Sequence, residues 1–402
     1  MSISTQAGAQ GQGVTAPQGF TAAGVAAGIK ASGKPDVAVV VNTGPLKTAA
    51  AVFTSNRVFA APVAWSRQAV SDGVAEAVVY NSGGANACTG PEGFQDTHRT
   101  AEHLAATLGV AAGDVLVGST GLIGERLPMD ALLAGADAAV AALSTGGGAD
   151  AATAIMTTDT VSKTTVQQRG TGAATWTVGG MAKGAGMLAP GLATMLGVVT
   201  TDAVVDAATA DAALRAATRV TFDRVDSDGC MSTNDTVILL ASGASGVEVS
   251  EAELTEALTA ACGDLARQLV ADAEGASHDI RVTVRNATTE DAAVAVARAV
   301  TRSNLFKAAV FGNDPNWGRV LSAVGTVPEH VAPFDALALD VSINGVQVCR
   351  AGGVGEDRSL VDLASQREVF VDVDLHAGDA EASIWTNDLT HDYVHENSAY
   401  SS

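Results

Sequence analysis

Short apolar runs of strand length and helical segments both occur along the chain, so a protein of mixed α+β content is expected. Aromatic residues make up only 4% of the sequence while Ala and Gly dominate, so the layers pack through small side chains rather than around aromatic anchors. With 402 residues, the chain exceeds the usual single core and suits one large domain or two intimately packed ones.

The amino-terminal part supplies short strands. Asp36–Asn42, Ala50–Thr54 and Ala77–Tyr80 read as strands, the first and last as continuous apolar runs suited to a buried sheet. NSGGANACTG from Asn81 follows, ahead of a helix expected from about Asp96. This glycine-rich loop either presents N–H groups to an anion or is a sharp turn capped by Asn side chains. Asp114–Val117 is a further strand, with Gly118, Ser119, Thr120 and Gly121 as the turn after it. Pro128 opens a helix over Met129–Leu143, with Asp130 in its first turn, and a flexible break at 144–148 ends it. MTTD from Met156 precedes a polar strand.

Beyond Thr201 a helix begins near Ala207 and leads to Asp223–Gly229. The aspartates there lack EF-hand spacing and its closing Glu, so a hydrogen-bonded loop is expected. Ser232–Asp235 runs into a strand over Thr236–Leu240. Ser250 and Glu253 form a capping box for a helix whose Leu254, Leu258, Leu265 and Leu269 share one face. Glu274 and Gly275 close that helix, and Glu274 is either a charged helix end, the reading the sequence favours, or a carboxylate pointed into a site. A strand over Asp279–Arg285, a helix over Glu290–Arg302, a strand over Phe306–Phe311 and a loop over 312–319 come next. Asn344-Gly345 is the residue pair of a type I′ hairpin turn, and strands surround Val369–Val373 and Ala382–Trp385. No internal repeat is apparent.

Several function classes are excluded. A net charge of −21 argues against nucleic acid or an anionic membrane as partner. Cys88, Cys230, Cys262 and Cys349 form no C-x-x-C pair and read as reduced, buried thiols. No Lys or Arg precedes Lys30 and no apolar h-region is present, so a cytoplasmic protein without signal peptide is expected. His391 and His395 have helical i, i+4 spacing but no H-E-x-x-H pattern or other ligand cluster, so no metal is expected.

The stretch KGAGMLAPGLATMLGVVTTD, Lys183 to Asp202, stands apart because it carries no charge between its ends. Its 18 uncharged residues reach membrane-span length, but four glycines, three threonines and Pro190 rule out a membrane helix. Gly184-x-Gly186-x-x-Ala189 matches the dinucleotide pattern formally, yet Pro190-Gly191 follows where a helix is required. A tight turn running into an apolar strand over Leu192–Thr200 remains.

Seven blocks together closely resemble the ornithine acetyltransferase family, the bifunctional glutamate N-acetyltransferases of arginine biosynthesis. They are NSGGANACTG from Asn81, STGLIG from Ser119, MTTD from Met156, GGMAKGAGMLAP from Gly179 running on to LATML, STNDT from Ser232, FGNDPNWGR from Phe311 and the terminal ENSAYSS from Glu396. The resemblance implies a layered αββα sandwich of amino-terminal-nucleophile type and a precursor that cleaves itself between Ala193 and Thr194. The two chains, 1–193 (α) and 194–402 (β), would assemble as a heterotetramer of two of each. It implies Thr194 as nucleophile, Thr120 and Gly121 as oxyanion hole, and Thr157, Lys183, Thr194, Glu274, Asn397 and Ser402 as substrate contacts. Thr158 is the competing choice for Thr157.

The chemistry of these residues suits that reading. A free α-amine has a reference pKa of about 7.7–8.0 and can serve as the base for its own threonine hydroxyl. Lys183 suits an α-carboxylate and Glu274 a side-chain ammonium. The implied reaction is ping-pong: N-acetylornithine acetylates Thr194, ornithine leaves, and glutamate takes the acetyl group. No cofactor is implied, and acetyl-CoA is open as a second acetyl donor. The alternatives are a related amino-terminal-nucleophile hydrolase or aminopeptidase, with water as acceptor, and an uncleaved binding scaffold.

Overall fold

The computed structural model describes residues 12–189 and 195–399. In chain order, β1 (Phe20–Val25), β2 (Val37–Asn42) and β3 (Thr48–Phe53) lead to α1 (Ala61–Ala69), β4 (Ala77–Gly84), α2 (Gly90–Leu108), β5 (Val115–Leu122), α3 (Met129–Ala141) and α4 (Gly148–Ala154). Then come β6 (Lys163–Arg169), β7 (Trp176–Lys183), β8 (Leu196–Thr201), α5 (Ala207–Arg219), β9 (Thr236–Ala241) and α6 (Glu251–Ala271). The last third holds β10 (Asp279–Ala287), α7 (Glu290–Thr301), α8 (Asn304–Phe311), α9 (Trp317–Val324), β11 (Asp340–Ile343), β12 (Val346–Arg350), β13 (Gly353–Val354), β14 (Glu368–Asp374), β15 (Ala380–Asn387) and α10 (His391–Ala399).

Two sheets stack in the first two-thirds. One has the order β1-β2-β4-β5 and the other β3-β9-β8-β7-β6. Val40, Val78, Tyr80 and Leu116 from the first sheet meet Met181, Val198, Ile238 and Leu240 from the second in one buried core. The outer face of the first sheet is covered by Leu104 of α2 and Leu132 and Ala136 of α3. The outer face of the second is covered by Leu214 of α5 and Leu254, Leu258 and Leu265 of α6. Helix, sheet, sheet, helix is thus an αββα sandwich, and the alanine-rich helices let the layers approach closely. A third sheet, β13-β12-β11-β14-β10-β15, packs α7 and α9 around its own core of Ile280, Val282, Val296, Val320 and Val371.

The five-stranded sheet interleaves the chain about position 194. β8 pairs with β7 antiparallel and with β9 parallel, so strands from either side of the expected cut share one hydrogen-bonded ladder. Two chains cut there would stay joined by that sheet. The expected cut is therefore not a boundary between folding units.

Local expectations are met where the chemistry is specific. Ser250 and Glu253 make the reciprocal capping box of α6. Asn344 and Gly345 both have positive φ, 47° and 83°, as a type I′ turn requires. Other expectations need correction. Phe306–Phe311 is helix α8, not a strand: Ser303 caps it through the Phe306 N–H, and Phe306, Ala309 and Val310 form a buried helical face. So short an apolar run does not reveal its period. α2 begins at Gly90 rather than Asp96, started by Pro91 in its first turn. Gly118–Gly121 belongs to β5 rather than to a turn after it, and 317–319 opens helix α9 instead of staying loop. The strand expected from Leu192 begins at Leu196 within the described residues. Cys88 and Cys230 are exposed, not buried, while Cys262 and Cys349 are buried; all four are free thiols. No helix among the described residues is long and apolar enough to cross a membrane.

Candidate active site

The ends of β4, β5 and β7 converge where the two stacked sheets open. β4 and β5 are parallel, and their register shifts at Gly83 and Gly84, opposite Thr120–Leu122. Gly121 sits at φ +131°, and a Cβ there would lie 2.5 Å from the Gly84 nitrogen, so only glycine lets the two strands meet this closely. Beneath them, Asn81 accepts from the Ser119 hydroxyl at 2.6 Å, and the Asn234 amide donates to the carbonyls of Ala85 and Ser119 at 2.7 and 2.8 Å. Asn86, at φ 48°, donates to Gly93 O and Thr97 Oγ1. The NSGGANACTG segment is not one loop: Asn81–Gly84 ends β4 and Gly90 opens α2, and the Asn81 and Asn86 side chains hold the backbone there.

These elements border a cavity of about 210 Å³. Thr120, Gly121, Thr157, Lys183, Glu274 and Asn397 all line it, although they come from five separated parts of the chain. Thr158 lines it as well. Ala193, Thr194 and Ser402 lie outside the described residues. Met195 donates its N–H to Asp235 Oδ1 at 3.2 Å and leads into β8, where Leu196 pairs with Lys183.

Lys183 is the electrostatic centre. It is 3% exposed, and its ammonium donates to Thr157 Oγ1 at 2.6 Å and Thr120 Oγ1 at 3.3 Å. Burial lowers its pKa, and the carboxylate of Asp159, 3.9 Å away, opposes that shift. Asp159 is itself buried; desolvation works against its ionisation, but Lys183, Lys163 and hydrogen bonding outweigh it and hold its pKa down to about 2. Its oxygens accept from Gly184 N at 2.6 Å, Thr157 N at 2.9 Å and Lys163 Nζ at 2.7 Å. Asp159 therefore fixes both the residue that follows Lys183 and the threonine to which Lys183 donates. Lys163 is held in turn by Asp272 at 2.5 Å.

Glu274 lies past the end of α6 with its N–H on Ala185 O, and its carboxylate faces the cavity, accepting from Asn397 of α10 at 2.9 Å. It is not merely a charged helix end. A Cβ on Gly186 would fall 2.5 Å from that carboxylate, so glycine at 186 makes room for it. Asp235 is deeply buried, and burial pushes its pKa well above the carboxylate range, while its Oδ1 accepts from the Met195 N–H. Among the described residues no group of His, Cys, Asp or Glu could hold a metal. Asp226 and Asp228 of the aspartate-rich loop instead accept from Arg302 and from backbone N–H groups.

The sequence reading assigned no role to Asp159, Lys163, Asp235, Asn234, Ile123 or Met187. All but Lys163 lie inside the motifs MTTD, STNDT, STGLIG and GGMAKGAGMLAP, and those motifs were the available signal.

A profile of the ArgJ family matches residues 21–402. The chain belongs to the ArgJ family. The arginine biosynthesis bifunctional protein ArgJ of Streptomyces coelicolor is 65% identical, over 97% of this chain and all of that one. The protein of the same name from Mycobacterium bovis is 55% identical, over 97% of both. Among solved structures, ornithine acetyltransferase of Mycobacterium tuberculosis complexed with ornithine is 55% identical, covers 46% of this chain and 96% of its own, and superposes with a TM-score of 0.41.

Proposed function

We propose that this ArgJ-family chain is a glutamate N-acetyltransferase of arginine biosynthesis. It moves the acetyl group of N2-acetyl-L-ornithine to L-glutamate, releasing ornithine and N-acetylglutamate. The observation that carries this reading is the meeting of a buried ammonium, Lys183, and a carboxylate, Glu274, at one cavity of such a chain. A diamino acid presents the complementary pair, an α-carboxylate and a side-chain ammonium. An ammonium has three protons; Lys183 directs two to Thr157 and Thr120, which leaves one for the substrate carboxylate.

Thr194 attacks the acetyl carbonyl, with its own α-amine as base once cleavage after Ala193 has freed it. Maturation follows the same logic: the Thr194 hydroxyl attacks the Ala193 carbonyl, the acyl group shifts from nitrogen to oxygen, and water hydrolyses the ester. Because Thr120 Oγ1 accepts from Lys183, its own proton is free to donate to the oxyanion that develops, alongside the Gly121 N–H. Collapse of the tetrahedral intermediate expels ornithine and leaves acetyl-Thr194. The glutamate amine then attacks that ester and regenerates the hydroxyl. Thr157 orients Lys183, while Asn397 orients Glu274 and Ser402 adds a polar contact. The attachment of Met195 to Asp235 and the pairing of Leu196 with Lys183 support this placement of the nucleophile.

The active species is a cytoplasmic heterotetramer of two 1–193 and two 194–402 chains. It needs no cofactor, and acetyl-CoA is a second acetyl donor. Incubation with N-acetylornithine and glutamate tests the reading: equimolar ornithine and N-acetylglutamate are expected. Release of free acetate without N-acetylglutamate would instead make the protein a hydrolase.

A further inference from the structure

For a chain of net charge −21, one surface gathers guanidinium groups unexpectedly. Arg215 and Arg219 of α5, Arg224 shortly after it, and Arg298 and Arg302 at the end of α7 line one open cleft of about 630 Å³. Planar guanidinium forks match phosphate and carboxylate oxygens better than ammonium groups do. The carboxylates at hand do not saturate these donors. Glu290 is divided between Arg219 and Arg224, Asp211 accepts from Arg215, and Asp226 accepts from Arg302. Arg298 hydrogen-bonds the backbone carbonyl of Asp223 at 3.1 Å, and its Nε is buried without a partner among the described residues. Arg224 is 7% exposed, and its Nη1 is likewise buried and unpartnered among the described residues. The acidic Asp223 and Asp291 also line the cleft, so a ligand must carry several negative charges to outcompete them.

The cleft adjoins the candidate active site. Met231 lines the cleft, and the next three residues, Ser232 to Asn234, line the cavity. Thr54 donates to the Ser232 carbonyl at 2.8 Å and Asn56 to that of Met231 at 3.2 Å, which fixes this thin partition.

We propose that the arginine cleft binds the phosphoryl groups of a small molecule. The source is either a nucleotide-type acyl thioester that reaches the cavity past residues 231–234, or a free phosphate ester held in the cleft alone. The thioester source rests on the acetyl-transfer reading, whereas the phosphoryl chemistry stands without it.

Calorimetric titration of the full protein with pyrophosphate and with coenzyme A tests this, alongside Arg298→Gln, Arg224→Gln and a control, Arg350→Gln, on the exposed end of β12. Pyrophosphate is expected to bind in a salt-sensitive way, and Arg298→Gln to weaken it about tenfold, the loss of one charge-assisted contact. The control should bind as the parent does. Coenzyme A that binds and is displaced by pyrophosphate identifies the thioester; pyrophosphate binding without coenzyme A affinity identifies a free phosphate ester. Absence of binding by both probes, or equal binding by Arg298→Gln, overturns the proposal. So does a change of oligomeric state in the variants with no anion bound, which would assign the arginines to a subunit contact. Arg224→Gln also cuts the link to Glu290, so if it fails to fold, Arg298→Gln decides alone. Acetyl transfer measured on the same samples separates the two readings: transfer without anion binding sinks only this inference, and anion binding without transfer sinks only the proposed reaction.

Discussion

Replacing Thr120 by alanine separates transition-state stabilisation from substrate binding. Thr120 is 6% exposed, so water has little access to replace its hydroxyl. Its loss removes one of two hydroxyl partners of Lys183, the longer at 3.3 Å, while Thr157 at 2.6 Å and the charge of Asp159 remain. Lys183 should therefore still hold the substrate carboxylate, and KM for N-acetylornithine should change little. The oxyanion, in contrast, loses a preorganised donor that acts mainly as charge develops. One such donor is worth about 2.7–4 kcal/mol, or about 10²–10³ in kcat. Thr120→Ser should restore much of the rate. The assay is steady-state kinetics on fully processed enzyme, because the same donor could serve the maturation step. An unchanged kcat in Thr120→Ala, or a loss confined to KM, would refute the assignment.

Three further outcomes follow from the site. Gly186→Ala places a methyl 2.5 Å from the Glu274 carboxylate and must displace it; KM for N-acetylornithine should rise about ten- to hundredfold, as for one lost charge-assisted contact, with a smaller change in kcat. Asp159 has a folded pKa of about 2 against 3.8 ordinarily, so its stabilisation is complete above about pH 4 and is lost as the pH falls through 2; Asp159→Asn should flatten this acid limb of the denaturation curve and cost about 3 kcal/mol at neutral pH, the low end for a broken buried ion pair, because Lys163 keeps Asp272. Thr194→Ala should leave one intact chain on a denaturing gel and no acetyl transfer, whereas Thr194→Ser retains part of both; a processed, active alanine variant would remove Thr194 from both roles.

What could be read in the sequence was set by how local the physics is. The capping box at Ser250 and Glu253 and the turn at Asn344-Gly345 are specified within a few residues, and both are present. The run Phe306–Phe311 is equally apolar as strand or helix, and the Ser303 cap that decides it is one side chain outside the run. Glu274 read as a helix end because Gly186, which opens space for its carboxylate, is 88 residues earlier in sequence. The ion pairs that link Asp159 to Lys163 and Lys183, and Lys163 to Asp272, carry no sequence signature, since β6, β7 and α6 bring them together only after folding. The αββα layering likewise came from the family resemblance; strand and helix periods say which faces are apolar, not which sheets stack.

The central claim is a covalent acetyl-enzyme at Thr194. Processed protein mixed with N-acetylornithine in the absence of glutamate should show, by intact mass spectrometry, one added acetyl group on the 194–402 chain. Peptide mapping should locate it on Thr194, and added glutamate should discharge it as N-acetylglutamate. An unmodified 194–402 chain under turnover conditions trapped by acid, or an acetyl group mapped elsewhere and indifferent to glutamate, would contradict the account.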